Sequence, residues 1–143
     1  MKEIEAKILE VDPKDIRQKM QEMSAEKKFE GKVQSEFYDF EDNRIEENGI
    51  LRLRRVGEET ILTRKTDEEN QGGAKIMNEI EFEVGDMDEA RALLTSLGLK
   101  QIHSSEKTRA KWRCGRVEYV IDWYPGLPAL LEIETPTQKE LTE

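Results

Sequence analysis

Pairs of like charges separated by one residue recur along this chain. In a β-strand, side chains two positions apart point to the same face, so each pair would form a stripe of one sign. The acidic stripes are Glu3 and Glu5; Glu79, Glu81 and Glu83; and Glu132 and Glu134. The basic stripes are Arg52 and Arg54, and Lys107 and Arg109. A single strand of this kind is typical of any half-exposed sheet, but five of them predict that the stripes converge on one ligand or on each other.

Enclosing so many charges requires partners, because removing an ion from water costs several kcal/mol even after relaxation. Mutual salt bridges are one solution. The other is that the carboxylates hold divalent cations while the arginines and lysines hold a strongly anionic ligand. Hard cations such as Mg²⁺ or Mn²⁺ take oxygen ligands, and arginine pairs suit phosphate oxygens. A polyphosphate bound with metal ions satisfies both sets of charges.

Composition restricts the class of protein. The chain has 143 residues, of which 38% are charged, and its net charge of −9 argues against non-specific binding to nucleic acid or to anionic membranes. Its one cysteine, Cys114, fits a reducing compartment. No apolar leader or membrane-length segment is evident, so a cytoplasmic location is expected.

The chain is expected to form a single domain, residues 1–143, built from two similar halves of about 1–66 and 78–135. Each half begins with an acidic strand and continues into a helix, which starts at Asp12 with Pro13 in the first half and at Asp86 in the second. Apolar stripes follow at helical spacing, and Gly98 ends the second helix. Three strands then follow in each half, at about 33–40, 50–56 and 60–66, and at about 100–112, 116–124 and 129–135.

A duplicated β-α-β-β-β unit supplies eight strands and predicts an α+β fold, an eight-stranded antiparallel β-barrel that forms a tunnel. The charged faces would line a wet interior. The apolar faces, such as Ile4 with Ile8 and Ile80 with Phe82, would lie outside beneath the helices. The tail from Thr135 resembles the start of a helix that is abbreviated.

One further segment has no regular pattern. Residues 66–77 are polar with a Gly72-Gly73 pair, which favours a flexible surface loop over a lid at the tunnel mouth. The only histidine, His103, is expected on the surface just before a strand.

The order of these motifs resembles the CYTH family, also called triphosphate tunnel metalloenzymes. The resemblance begins with the ExExK pattern of Glu3, Glu5 and Lys7 and covers residues 3–134. Its further motifs are Phe37-Tyr38-Asp39, Leu51-Arg52-Leu53-Arg54, Leu62-Thr63-Arg64-Lys65, Glu81-Phe82-Glu83, Lys107-Thr108-Arg109, Asp122 and Leu131-Glu132-Ile133-Glu134. The family pattern is not complete, since Asn78 stands where a basic residue is common.

The resemblance implies a role for each charged group. Residues that would bind phosphate are Lys7, Arg52, Arg54, Lys65, Lys107 and Arg109. Residues that would bind or orient Mg²⁺ or Mn²⁺ are Glu3, Glu5, Asp122, Glu132 and Glu134. Catalytic roles fall to Glu81, Glu83 and Lys107, the two glutamates placing a second metal or the attacking water.

The implied function is metal-dependent hydrolysis of a triphosphate, with inorganic tripolyphosphate, thiamine triphosphate and nucleoside triphosphates all open as substrates. A class IV adenylate cyclase is an alternative within the family, although the His-Phe pair that precedes the first motif in those enzymes does not occur here. A polyphosphate-binding module without turnover is a second alternative. The expected partner is a small-molecule triphosphate, not a membrane or nucleic acid, and a homodimer stays open.

Overall fold

The computed structural model describes residues 2–136, which form eight strands, two α-helices and one short 3-10 helix. In the first half these are β1 (Lys2–Ile8), α1 (Pro13–Glu22), β2 (Glu26–Asp39), the 3-10 helix (Glu46–Asn48), β3 (Ile50–Val56) and β4 (Glu59–Gln71). The second half contains β5 (Ala74–Val84), α2 (Met87–Ser96), β6 (Lys100–Cys114), β7 (Val117–Trp123) and β8 (Leu130–Thr135).

The strands pair in the order β1-β5-β4-β3-β2-β6-β7-β8 and close into a barrel through the antiparallel pairing of β1 with β8. Closure leaves no strand with an unpaired edge. The predicted eight-stranded α+β barrel is therefore confirmed. No helix among the described residues is long and apolar enough to cross a membrane.

The chain divides into two compact units. The first unit comprises residues 33–69 and 77–106, and the second comprises residues 2–32, 70–76 and those from 107 onward. Each unit has its own apolar core and its own set of charged side chains, and each is described separately below.

In the second unit, α1 begins as the sequence predicts. The Asp12 side chain accepts a hydrogen bond from the backbone N–H of Lys14 at 2.9 Å, with Pro13 at the first helical position. Such a cap stabilises a helix by about 1 kcal/mol. Met20 packs with Trp112 and Ile121 in the core, whereas Met23 is 43% exposed. Met23 follows the last helical residue, where the helical periodicity has ended.

In the first unit, α2 begins at Asp86, whose carboxylate accepts from the N–H groups of Asp88 and Glu89. Met87, Ala90 and Leu94 pack against Leu53 of β3 and Tyr38 of β2. Gly98 follows the helix with φ of 94°, a conformation that glycine adopts without strain.

The segment 66–77 forms a strand hairpin, so the predicted flexible loop is wrong. Strand β4 continues to Gln71 and β5 begins at Ala74, leaving only Gly72 and Gly73 to make the turn. Ala74 and Ile76 are buried with Ile4 of β1. Pairing within the barrel wall supplies the backbone hydrogen bonds that a polar sequence alone does not indicate.

The prediction that all apolar faces lie beneath helices is wrong for part of the wall. Ile80 and Phe82 of β5 are 65% and 53% exposed, and Ile8 of β1 is 48% exposed. In the first unit α2 packs against β2 and β3, and in the second α1 packs against β6, β7 and the residues near β8. His103 is exposed as predicted, but it lies within β6 and not before it.

The tail prediction falls largely outside the described residues. Thr135, expected to cap a helix, is buried as the last residue of β8. Residues 137–143, where the helix would continue, are not among those described.

Candidate functional site

Three carboxylates form a compact group in the second unit. Glu3 and Glu5 come from β1 and Glu134 comes from β8, and one oxygen from each lies within 4.8 Å of the others. Glu5 and Glu134 are directly opposite in the antiparallel register of β1 and β8. Like charges in that position repel each other, so their repulsion destabilises the pairing of β1 with β8.

The environment of Glu134 reflects this crowding. Burial, followed by the charges of Glu3 and Glu132, raises the pKa of Glu134 to about 7. A carboxyl group with such a pKa is partly protonated near neutral pH. A divalent cation would remove the repulsion by neutralising the group.

A buried ion-pair network lies in the same unit. Asp122 of β7 is completely buried and accepts two hydrogen bonds from the guanidinium of Arg109, at 2.8 and 3.0 Å. The Lys107 ammonium donates to the same carboxylate at 3.0 Å and to the Tyr124 hydroxyl at 3.3 Å. The alternation of β6 places Lys107 and Arg109 on one face, as predicted.

Burial and pairing oppose each other in this network. Burial alone would raise the pKa of Asp122, but the hydrogen bonds and charge of Arg109, together with Lys107, lower it. Burial, with the neighbouring charge of Arg109, lowers the pKa of Lys107 to about 8 despite the attraction of Asp122. The network therefore holds a permanently charged guanidinium and an ammonium that titrates not far above neutrality.

Lys7 and Glu132 form a pair at one side of these groups. They are directly opposite in the register of β1 and β8, and the Lys7 Nζ lies 3.6 Å from a Glu132 oxygen. The Lys7 side chain is 47% exposed, whereas Glu132 is buried. The structure thus groups three of the five predicted metal-binding acids, while Asp122 and Glu132 contact basic side chains.

The first unit carries the other basic stripe. Arg52 and Arg54 share a face of β3, and Arg54 is buried while its neighbour Arg55 is exposed. Lys65 of β4 lies 3.7 Å from Glu79 of β5. Leu53, on the opposite face of β3, is buried in the apolar cluster beneath α2, so the arginine and leucine faces separate as the alternation predicts.

Glu81 has a partner that sequence reasoning did not single out. The hydroxyl of Thr63, a fully buried residue of β4, donates a 2.8 Å hydrogen bond to Glu81. Thr63 shares the strand face of Lys65, because the two residues are two positions apart, and this spacing could have predicted its place among the charged side chains. Glu83, two residues further along β5, is exposed. The contact of Tyr124 with Lys107 had no such signal, because Tyr124 follows the end of β7.

Comparison with known proteins identifies the family. The CYTH domain profile matches residues 1–142, almost the entire chain. The chain belongs to the CYTH domain family. No curated protein matches the sequence.

Several solved structures share the fold. The PH1012 protein of Pyrococcus horikoshii OT3 superposes with a TM-score of 0.76 at 23% identity, over 95% of this chain and 79% of that one. A Vibrio parahaemolyticus protein proposed to be an adenylate cyclase gives 0.81 at 19% identity, over 98% and 80%. A Hippeastrum protein proposed to be an adenylyl cyclase, and described as having a dominant triphosphatase activity, gives 0.71 at 16% identity, over 98% and 82%.

Proposed function

We propose that this CYTH protein hydrolyses a small-molecule triphosphate with the help of Mg²⁺ or Mn²⁺. The observation that carries the proposal is the grouping of Glu3, Glu5 and Glu134 in the same compact unit as Lys107 and Arg109. One set suits a hard cation and the other suits phosphate oxygens. The triphosphatase activity described for the Hippeastrum protein, a fold neighbour, supports the same class of reaction.

The residues present fit a divalent ion. Three carboxylates offer hard oxygen ligands within 4.8 Å of one another, and their mutual repulsion favours a cation between them. Glu3, Glu5 and Glu134 would hold the ion, with Asp122 and Glu132 orienting the groups around it. A bound ion supplies charge neutralisation on the phosphate oxygens during phosphoryl transfer.

Arg109 and Lys107 are the proposed phosphate-binding groups of the second unit. Arg109 already binds one planar oxyanion, the Asp122 carboxylate, through two N–H groups, and its remaining N–H groups can donate to phosphate oxygens. With a pKa of about 8, Lys107 is mostly protonated at neutral pH and can stabilise the charge of the leaving group. Lys7, more exposed than either, would contact phosphate at the edge of this set.

In the first unit Arg52, Arg54 and Lys65 would bind phosphate. Glu81 would orient the attacking water or accept its proton, and the Thr63 hydroxyl fixes one of its oxygens for that role. Glu83 would assist Glu81 in placing a second metal or the attacking water. No covalent intermediate is required, because water can attack the terminal phosphorus in line.

One panel of assays tests the proposal against its alternatives. Tripolyphosphate, thiamine triphosphate and ATP are each incubated with Mg²⁺, with Mn²⁺ or with EDTA, while released phosphate and cyclic AMP are measured together. We expect metal-dependent release of phosphate and little cyclic AMP. Abundant cyclic AMP with little free phosphate would establish a cyclase instead. Tight binding without any product would establish a polyphosphate-binding module.

A further inference from the structure

One face of the first unit carries a row of side chains that crosses five adjacent strands. The row begins with aromatic rings on β6 and β2 and continues with a guanidinium on β3, a hydroxyl on β4 and a carboxylate on β5. Its members, in order, are His103, Phe37, Arg52, Thr63 and Glu81.

Each neighbouring pair in the row is established independently. The rings of His103 and Phe37 lie with their centroids 5.7 Å apart. Phe37 is directly opposite Arg52 in the register of β2 and β3, and Arg52 is opposite Thr63 in that of β3 and β4. Residues directly opposite each other in adjacent strands point to the same side of the sheet. Both rings therefore belong to the face that carries the proposed phosphate-binding arginines.

The aromatic pair has surface left to offer a ligand. Its rings are inclined by 39°, Phe37 is half-buried and His103 is exposed. Among the described residues, Phe37 belongs to neither of the apolar clusters that pack against α1 and α2. Stabilisation of the sheet explains an aromatic pair in general, but it does not explain why this pair stands directly beside a half-buried guanidinium.

The spacing matches a ligand with two chemically different ends. Neighbouring strands lie about 4.8 Å apart, so the Phe37 ring stands one strand away from Arg52 and the His103 ring two strands away. A phosphate held by Arg52 and Arg54 would place an attached planar group within reach of the rings. Inorganic tripolyphosphate has no group that could use them.

We propose that Phe37 and His103 bind the planar aromatic group of an organic triphosphate ester, so that such an ester is preferred to inorganic tripolyphosphate as the substrate. This inference rests on the proposed triphosphatase function and specifies its substrate class. The shared chemistry is an aromatic ring linked to a triphosphate, and nucleoside and thiamine triphosphates both have it. Stacking of a base on an aromatic side chain contributes substantially to affinity and tolerates different ring types.

The test compares KM and kcat for ATP, thiamine triphosphate and tripolyphosphate in Mg²⁺. The variants are Phe37→Leu and His103→Ala, with Phe37→Tyr as the conservative replacement. Phe82→Leu is the matched control, because Phe82 is 53% exposed on β5 and has the opposite strand parity from Glu81. Melting temperatures establish that each variant is folded.

We expect Phe37→Leu and His103→Ala each to raise KM about tenfold for the aromatic ester that the wild type uses. The KM for tripolyphosphate should change less than twofold, and Phe37→Tyr and Phe82→Leu should resemble the wild type. Effects on ATP alone, or on thiamine triphosphate alone, identify the source of the ring. Equal effects on tripolyphosphate, or a wild type that uses only tripolyphosphate, would overturn the inference but not the triphosphatase. A wild type that turns over none of the three would instead overturn the proposed function on which the inference depends.

Discussion

Glu5 and Glu134 face each other across β1 and β8, with Glu3 beside them. Two carboxylates in direct cross-strand opposition destabilise a sheet unless something neutralises them. The raised pKa of Glu134 expresses that cost, and the proposed metal ion would relieve it. At the scale of single residues, we therefore expect these three glutamates to set the response of the second unit to metal.

Replacing Glu5 by Gln should weaken the metal site while keeping the shape of the side chain. We expect the Mg²⁺ concentration needed for half-maximal turnover to rise by about 10–100-fold or more, since even indirect support of a metal ligand is worth that much. Without metal, the melting temperature of Glu5→Gln should equal or exceed that of the wild type, because one repelling charge is lost. Glu58→Gln, in the exposed turn between β3 and β4, is the control. Unchanged metal dependence in Glu5→Gln would exclude Glu5 as a ligand.

The pKa of Glu134 predicts how the stability of the metal-free protein depends on pH. The folded-state pKa of about 7 lies above the ordinary value of 4.5, so the folded protein binds more protons than the unfolded chain between these values. This stabilising contribution is complete below about pH 4.5 and is lost as pH rises through 7. It amounts at most to something on the order of 3 kcal/mol.

Urea denaturation in EDTA at several pH values measures that loss. Between pH 5 and 8 the wild type should become less stable, and Glu134→Gln should remove this slope. Added Mg²⁺ should stabilise the wild type more at pH 8 than at pH 5.5, since ions and protons compete for the same group. The pKa of Lys107, which burial lowers, affects stability in a separate pH range. There the free energy of unfolding should increase as pH rises from about 8 toward 10.5. A wild type whose stability is flat between pH 5 and 8 would be inconsistent with three crowded carboxylates.

At the scale of elements, the approach of β3 to β4 depends on one glycine. Gly49 has φ of 104°, and a Cβ there would lie 1.8 Å from the carbonyl oxygen of Lys65. Arg64 also donates to the carbonyls of Lys65 and Ile50 at this point. The position of Lys65, a proposed phosphate-binding residue, is therefore fixed by its backbone surroundings.

Gly49→Ala should lower the free energy of unfolding by more than about 3 kcal/mol, because strain and a backbone clash combine. Gly115→Ala is the matched control, since φ is 62° there but nothing lies within 4 Å of the added Cβ. Its cost should be only about 1–2 kcal/mol. Denaturant titration of both variants provides the comparison, and similar costs would mean that the strands can separate at Gly49 without penalty.

Local patterns predicted the elements that depend on neighbouring residues in the chain. Helix starts at Asp12 and Asp86 follow from capping chemistry, and the placement of Arg54 on the face opposite Leu53 and Arg55 follows from strand alternation. The hairpin through 66–77 was missed because its stability depends on pairing with distant strands. Helix capping depends on residues that are close together in the chain, whereas strand pairing depends on residues that are far apart in it.

The same distinction applies to the candidate site. Alternation predicted which charges share a face of each strand, but not which of them meet across strands. Glu134 meets Glu5 and Asp122 meets Arg109 because of the registers of β1 with β8 and of β6 with β7. The hydrogen bond from Thr63 to Glu81 similarly depends on the pairing of β4 with β5.

At the scale of the whole molecule, an acidic protein of net charge −9 is proposed to bind a strongly anionic substrate. It can do so only if its basic residues are gathered on particular strand faces and the metal offsets the acids. Ligand binding should then stabilise the folded protein by mass action, by about 2.7 kcal/mol at a concentration of 100 times Kd. For a chain of this size that corresponds to a rise of about 5–10 °C in melting temperature.

The most direct test of this account is the shift in melting temperature that tripolyphosphate causes, with and without Mg²⁺, in the wild type, Arg54→Ala and Arg55→Ala. Both substitutions remove one positive charge from the same strand, but Arg54 is 9% exposed and Arg55 is exposed on the opposite face. We predict that the wild type and Arg55→Ala show a large shift that Mg²⁺ increases, whereas Arg54→Ala shows a clearly smaller one. Equal shifts in the two variants, or none in the wild type at millimolar ligand, would contradict a triphosphate site built from the charged faces of the barrel strands.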